Sequence, residues 1–246
     1  MSEVAGETGV FALLRKLPLF ATVSDSDLRT VAAEARSFTR PKGARIFEEG
    51  GAADSCYVLT SGLAKVVISG RGGKEVTLDV VGELELVGEI ALLDRANRSA
   101  SLVAAHECRF IRIGRASFAA LRHSRAFEDQ LVEHITAMLR RATEQLRAVH
   151  TFSSSERVEW CLAHLAARLG RRTNGTIAIS PRPHHQDIAD MTGCTRETVT
   201  RVMQRLKAGQ AMSWNTTSLM LHERRFKALL NLESGVAAIL DKARNG

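Results

Sequence analysis

What this 246-residue chain lacks narrows its class. No apolar run is long enough, or free enough of charge, to make a membrane-crossing helix, so no membrane partner is expected. Met1 to Glu7 hold two acids and no basic stretch, so a secretory signal is not expected. The four cysteines, Cys56, Cys108, Cys161 and Cys194, lie far apart with no Cys-x-x-Cys spacing. Such spacing gives a zinc or iron–sulfur site no support and points to a reducing, cytoplasmic compartment. No P-loop lysine motif, metal triad or nucleophile–base pair is visible, so the chain does not read as an enzyme. Gly70-Arg-Gly-Gly73 reads as a hairpin turn, because no helix follows it.

What is present is positive charge, unevenly placed. The net charge is +7, and residues 153–246 carry 14 Lys/Arg against 8 Asp/Glu. Residues 1–152 are almost neutral, with 20 against 19. The basic C-terminal part calls for an acidic partner, and nucleic acid is the first candidate.

The hydrophobic pattern changes period twice. Residues 10–36 read as broken helix, with Ser24 and Asp27 at capping-box spacing. From Phe38 to Ile113, short alternating runs at about ten-residue spacing, divided by Gly and Pro turns, predict a small antiparallel barrel or roll. A long helix is then expected from Phe127 to Phe152. Leu131, Ile135, Met138, Ala142, Gln145, Val149 and Phe152 recur at alternating spacings of four and three. That is a two-helix seam and predicts a homodimer. Thr151 to Ser155 reads as a hinge, and Gly170 to Gly175 as a loop. Ile177-Ala-Ile reads as a strand, and a hairpin is expected around Trp214 to Ser218. The tail beyond Phe226 has helical spacing at Leu229, Leu230, Val236, Ile239 and Leu240. The expected fold is α+β: a β-roll domain with flanking helices (1–126), a dimerisation helix (127–152) and a winged helix–turn–helix (153–246).

Two segments carry candidate chemistry. In the first, His185 to Thr192 and Thr195 to Leu206 read as two helices joined by a tight turn at Gly193. Thr195 is the expected N-cap, and Val199, Val202, Met203 and Leu206 form a buried face. Arg196, Glu197, Thr200 and Arg201 then project together near the helix N-terminus, where a recognition helix meets base edges. Arginine suits guanine and glutamate suits cytosine. Arg171, Arg172, Arg182, Arg205 and Lys207 are candidate phosphate contacts. In the second segment, Val87 to Ala100, a glycine opens a short helical turn whose backbone N–H groups can face an anion. Arg98 and Ser99 offer donors to a phosphate, and Glu89 an acceptor for a sugar hydroxyl. Alternatively, Glu89 pairs with Arg98 and closes an empty roll. His106, His123, His134 and His150 are isolated and read mostly as surface residues.

Gly193-Cys-Thr-Arg-Glu-Thr-Val-Thr-Arg201 resembles the recognition segment of the CRP/FNR family of bacterial transcription regulators, its cyclic-AMP receptor branch in particular. Thr200 stands where that branch has glycine. Gly88-Glu-Ile-Ala91 followed by Arg98-Ser-Ala100 is similar to the phosphate-binding cassette of cyclic-nucleotide domains. The resemblance runs from about residue 10 to 225. It implies that Gly88, Glu89, Ile90 and Ala91 line the ribose–phosphate side, with Glu89 on the ribose 2′-hydroxyl. Arg98 and Ser99 would hold the cyclic phosphate, and Gln145 with Thr143 would supply base contacts from the dimer helix. It further implies that Arg196, Glu197 and Arg201 read a TGTGA-like palindrome. The expected partners are double-stranded DNA, a second copy of the chain and RNA polymerase. No cofactor is required, and cyclic AMP is the expected effector. The rival from another class is a nucleotide-binding regulatory subunit, which would have no use for Arg196, Glu197 and Arg201.

Overall fold

The computed structural model describes residues 7–226 and divides into two compact units, Met1–Thr136 and Ala137–Gly246. The helical tail expected beyond Phe226 lies outside the described residues. Among them, no helix is long and apolar enough to cross a membrane. Nor do they contain a group of three or more His, Cys, Asp or Glu that could hold a metal ion.

The first unit opens with α1 (Glu7–Leu14), a 3-10 turn at Pro18–Phe20 and α2 (Asp25–Glu34). The Ser24 hydroxyl accepts from the Asp27 backbone N–H at 3.1 Å, so α2 starts where the capping spacing predicts. Then come β1 (Arg36–Arg40), β2 (Arg45–Phe47), β3 (Ser55–Ser61), β4 (Ala64–Ser69), β5 (Glu75–Val81) and β6 (Glu85–Val87). The short helix α3 (Ile90–Leu93), β7 (Ser101–Ala104), β8 (Cys108–Gly114), α4 (Arg115–Leu121) and the start of α5 (Arg125–Thr151) complete it.

These strands form two antiparallel sheets, β1-β8-β3-β6 and β2-β7-β4-β5. Alternation assigns each side chain its face. Tyr57 and Leu59 of β3 join Val81, Leu102, Ala104 and Phe110 in one core. Cys56 and Val58 join Ile111, Ile113, Leu28, Phe118 and Phe127 in another, which the helices cover. β3 is therefore buried on both faces, which explains its unbroken apolar run. β1 and β6 escaped the pattern because each is short and half-exposed, with little alternation to read.

The second unit contains the rest of α5, then α6 (Ser154–Leu169), β9 (Arg171–Thr173), β10 (Thr176–Ile179), α7 (His185–Thr192), α8 (Arg196–Ala208), β11 (Met212–Trp214) and β12 (Leu219–His222). Its strands pair in the order β11-β12-β10-β9. The expected roll, long helix and winged helix–turn–helix are all present. Two local readings change. The serine cluster starts a helix: Ser153 and Glu156 form a reciprocal capping box, leaving only Phe152 and Ser153 between α5 and α6. The Gly170–Gly175 loop is a hairpin, with Asn174 and Gly175 both at positive φ (48° and 75°) between β9 and β10. Asn-Gly was the signal for it.

The expected stripe on α5 is divided among different partners within the chain. Leu131 is buried in the first unit's core. Gln145 donates to the Met191 carbonyl at 3.0 Å within the second unit. The apolar residues left facing solvent are Val132, Leu139 and Leu146, at 61%, 67% and 61% exposure and seven residues apart, together with Val149. Val132, Leu139 and Leu146 each lie one position beyond an expected stripe residue, while Val149 belongs to that stripe and Ile135 packs against the first unit's core. Core packing claims part of the expected stripe, and the outward line is what remains.

Phe110 is fully buried and stacks on Phe38 at 5.6 Å between ring centroids. Replacing it with Ala is expected to cost about 3–5 kcal/mol in urea unfolding followed by circular dichroism.

Candidate DNA interface and effector cassette

The helix–turn–helix is built from local rules. Gly193 adopts φ 61°, the left-handed region, and ends α7. The Thr195 hydroxyl accepts from the Thr198 backbone N–H at 3.2 Å and caps α8. Val199, Val202, Met203 and Leu206 are all buried, so the opposite face of α8 is turned outward. Arg196, Glu197, Thr200, Arg201 and Gln204 line a single surface hollow. Glu197's own backbone N–H and the Thr195 hydroxyl hold its carboxyl below the ordinary value, so it is an anion at neutral pH. A groove edged by two guanidiniums and one carboxylate matches the donors and acceptors that base edges present.

Thr200 differs from its neighbours. It is half-buried, its hydroxyl donates to the Arg196 carbonyl at 2.9 Å, and His185 Nδ1 lies 2.9 Å from the same oxygen. The candidate phosphate contacts also have neighbours within the fold. Arg205 pairs with Glu159 at 2.9 Å, and Arg172 with Glu223 at 3.5 Å. Lys207 Nζ sits 4.5 Å above the Trp214 ring. Arg171 is exposed on β9, and the Arg182 backbone N–H donates to the Thr217 carbonyl at 2.8 Å, near α7.

In the first unit, Gly88 (φ 86°) turns the chain from β6 into α3, with Glu89 just ahead of the helix. Arg98 is only 4% exposed. Its Nη1 donates to the Gly88 carbonyl at 2.6 Å and its Nη2 to the Ser55 carbonyl at 2.5 Å. Its guanidinium carbon lies 4.3 Å from the Phe47 ring centroid, a cation–π contact. Burial lowers its proton affinity from the ordinary value, though an arginine remains charged. Glu89 is 2% exposed and its Oε1 lies 3.3 Å from His134 Nε2. Glu89 Oε2 and Arg98 Nε are both buried without a hydrogen-bond partner among the described residues. Ala91 is buried, while Ile90 and Ser99 are exposed.

Among the four isolated histidines, His134 does not lie free on the surface. It is half-buried on α5 against Glu89, not on the surface. Its signal was the i+3 step from the core residue Leu131. Gln145 and Thr143 belong to the second unit, where Thr143 donates to the Leu139 carbonyl at 2.9 Å. The Cys56 thiol, fully buried, is pushed up by that burial and stays a neutral thiol.

A Cβ on Gly88 would lie 2.7 Å from Arg98 Nη1 and 3.2 Å from Phe47, at a φ that disfavours side chains. Gly88→Ala is expected to destabilise the protein by about 1–3 kcal/mol in urea titration, by dislodging Arg98.

Residues 38–125 match the family profile described as "Cyclic nucleotide-binding domain", and residues 156–229 the one described as "Crp-like helix-turn-helix domain". The chain is 29% identical over 190 residues to the "Cyclic AMP receptor protein" of Thermus thermophilus, covering 77% of this chain and 85% of that one. It is 25% identical over 192 residues to the "CRP-like cAMP-activated global transcriptional regulator" of Mycobacterium tuberculosis, covering 78% and 86%. The solved structure of FixK2 from Bradyrhizobium japonicum has the same fold, with a TM-score of 0.67, 20% identity and coverage of 80% and 96%. With a roll that carries the cyclic-nucleotide cassette and a winged helix–turn–helix behind a long helix, the chain belongs to the CRP/FNR family of DNA-binding transcription regulators.

Proposed function

We propose that this protein is a homodimeric, cytoplasmic regulator whose DNA binding is controlled by a cyclic mononucleotide, cyclic AMP by first choice. The observation that carries the reading is the pair of unmatched buried atoms in one cassette, Glu89 Oε2 and Arg98 Nε. A buried polar atom without a partner costs about 1–3 kcal/mol, so a ligand that satisfies both gains by binding there. A ribose hydroxyl supplies the donor that Glu89 lacks, and a cyclic phosphate the acceptor that Arg98 Nε lacks. Gly88, Ile90, Ala91 and the exposed Ser99 complete that side. The relatives named for cyclic AMP support this choice of base.

In the same reading, residues 1–126 sense the effector, 127–152 join two copies and 153–246 hold DNA. The outward α5 line of Val132, Leu139 and Leu146 is a heptad face whose natural occupant is the same line on a second copy. Two α8 helices then meet successive major grooves of a TGTGA-like palindrome, with Arg196, Glu197 and Arg201 reading bases. RNA polymerase is the expected partner at a promoter. Effector and DNA act on each other only if the ligand prefers the DNA-competent arrangement. A second reading, a roll closed without any nucleotide, is favoured by the two carbonyls that already satisfy Arg98 Nη1 and Nη2.

Calorimetric titration with cyclic AMP, cyclic GMP and cyclic di-GMP separates the two readings. Cyclic AMP is expected to bind and to tighten DNA binding, and Arg98→Ala to abolish both effects. No heat with any of the three, and equal DNA affinity with and without them, selects the closed roll. Arg196→Ala is expected to cost about 1–3 kcal/mol at one base pair of the site, measured by fluorescence anisotropy over single-base variants. Leu139→Asp with Leu146→Asp is expected to turn the dimer into a monomer in sedimentation velocity.

A further inference from the structure

We propose that His185 is a positioning residue for base reading, which acts through Thr200 to fix the backbone from which Arg196 reaches DNA. The Thr200 hydroxyl has a single hydrogen and donates it to the Arg196 carbonyl at 2.9 Å. Its oxygen therefore accepts from His185 Nδ1, also at 2.9 Å. This chain of bonds assigns the proton of the neutral ring to Nδ1 and leaves Nε2 with a bare lone pair. Nε2 is indeed buried with no hydrogen-bond partner. The ring is held from its other side as well. Trp214 of β11 meets it edge to face at 6.5 Å between centroids, and Lys207 of α8 covers Trp214. One imidazole thus touches both helices of the reading motif and the wing.

The ring works in this role as a neutral group. Arg182 from the segment before α7, His184 beside it and Arg196 from α8 all face it with positive or titratable groups. Burial and then these cations hold His185 below its ordinary value, so it is uncharged at pH 7. Thr200 supplies the other half of the connection, and it stands where the motif it resembles has glycine. Glycine has no hydroxyl, so a chain with glycine there lacks this link between α7 and the Arg196 backbone.

The test uses the full-length protein, with cyclic AMP present and absent. A duplex selected by the wild type from a random pool is varied one base pair at a time, and Arg196→Ala marks the pair that Arg196 reads. His185→Ala is expected to lose about tenfold in discrimination at that pair, with affinity for unrelated duplex unchanged. Thr200→Val should give the same loss, and the double variant no further loss, as two members of one connection. His185→Asn, whose amide can donate to the same hydroxyl, should restore discrimination. The proposal is overturned if discrimination at that pair survives in both His185→Ala and Thr200→Val. It is equally overturned by losses that add in the double variant, or by uniform weakening on every duplex, unrelated sequences included.

Discussion

The burial of one guanidinium organises the β-roll of this protein. Arg98 is enclosed by two backbone carbonyls and the face of Phe47, and Gly88 must lack a side chain to let it in. A charge so placed is tolerable only with close partners, and here the partners come from three separate stretches of chain. Ser55 starts β3, Gly88 follows β6 and Phe47 ends β2. The arginine therefore ties both sheets to the cassette. The same enclosure leaves Arg98 Nε buried without a hydrogen-bond partner among the described residues, as is Glu89 Oε2.

α5 serves more than one surface. Leu131 and Phe127 face the first unit's core, His134 reaches Glu89, and Val132, Leu139 and Leu146 face outward. A helix turns about 100° per residue, so faces this different sit side by side on one element.

The DNA-reading end relies on different physics. Its apolar face is continuous and needs no buried charge, and its turn needs only the left-handed φ of Gly193. What distinguishes it is a small polar connection, His185 to Thr200 to the Arg196 carbonyl, set into the junction of two helices and a wing. In this connection His185 Nε2 is buried without a hydrogen-bond partner among the described residues.

Periodicity and spacing alone determined all strands of the roll but β1 and β6, the extent of α5, the caps at Ser24 and Thr195 and the outward set on α8. These depend on neighbours in sequence, so local rules suffice. The Arg-Ser and Gly-Glu pieces of the cassette were also legible, because motif spacing carries them. Tertiary structure decided what periodicity cannot. It buried Leu131 in the first unit's core and left Val132, Leu139 and Leu146 exposed, since only packing tells which apolar stripe the core will claim. It placed His134 on Glu89 across 45 residues of chain and His185 on Thr200 across 15. It also gave the Thr200 hydroxyl its partners, His185 and the Arg196 carbonyl, because a hydroxyl's bonds are set by what lies near it in space.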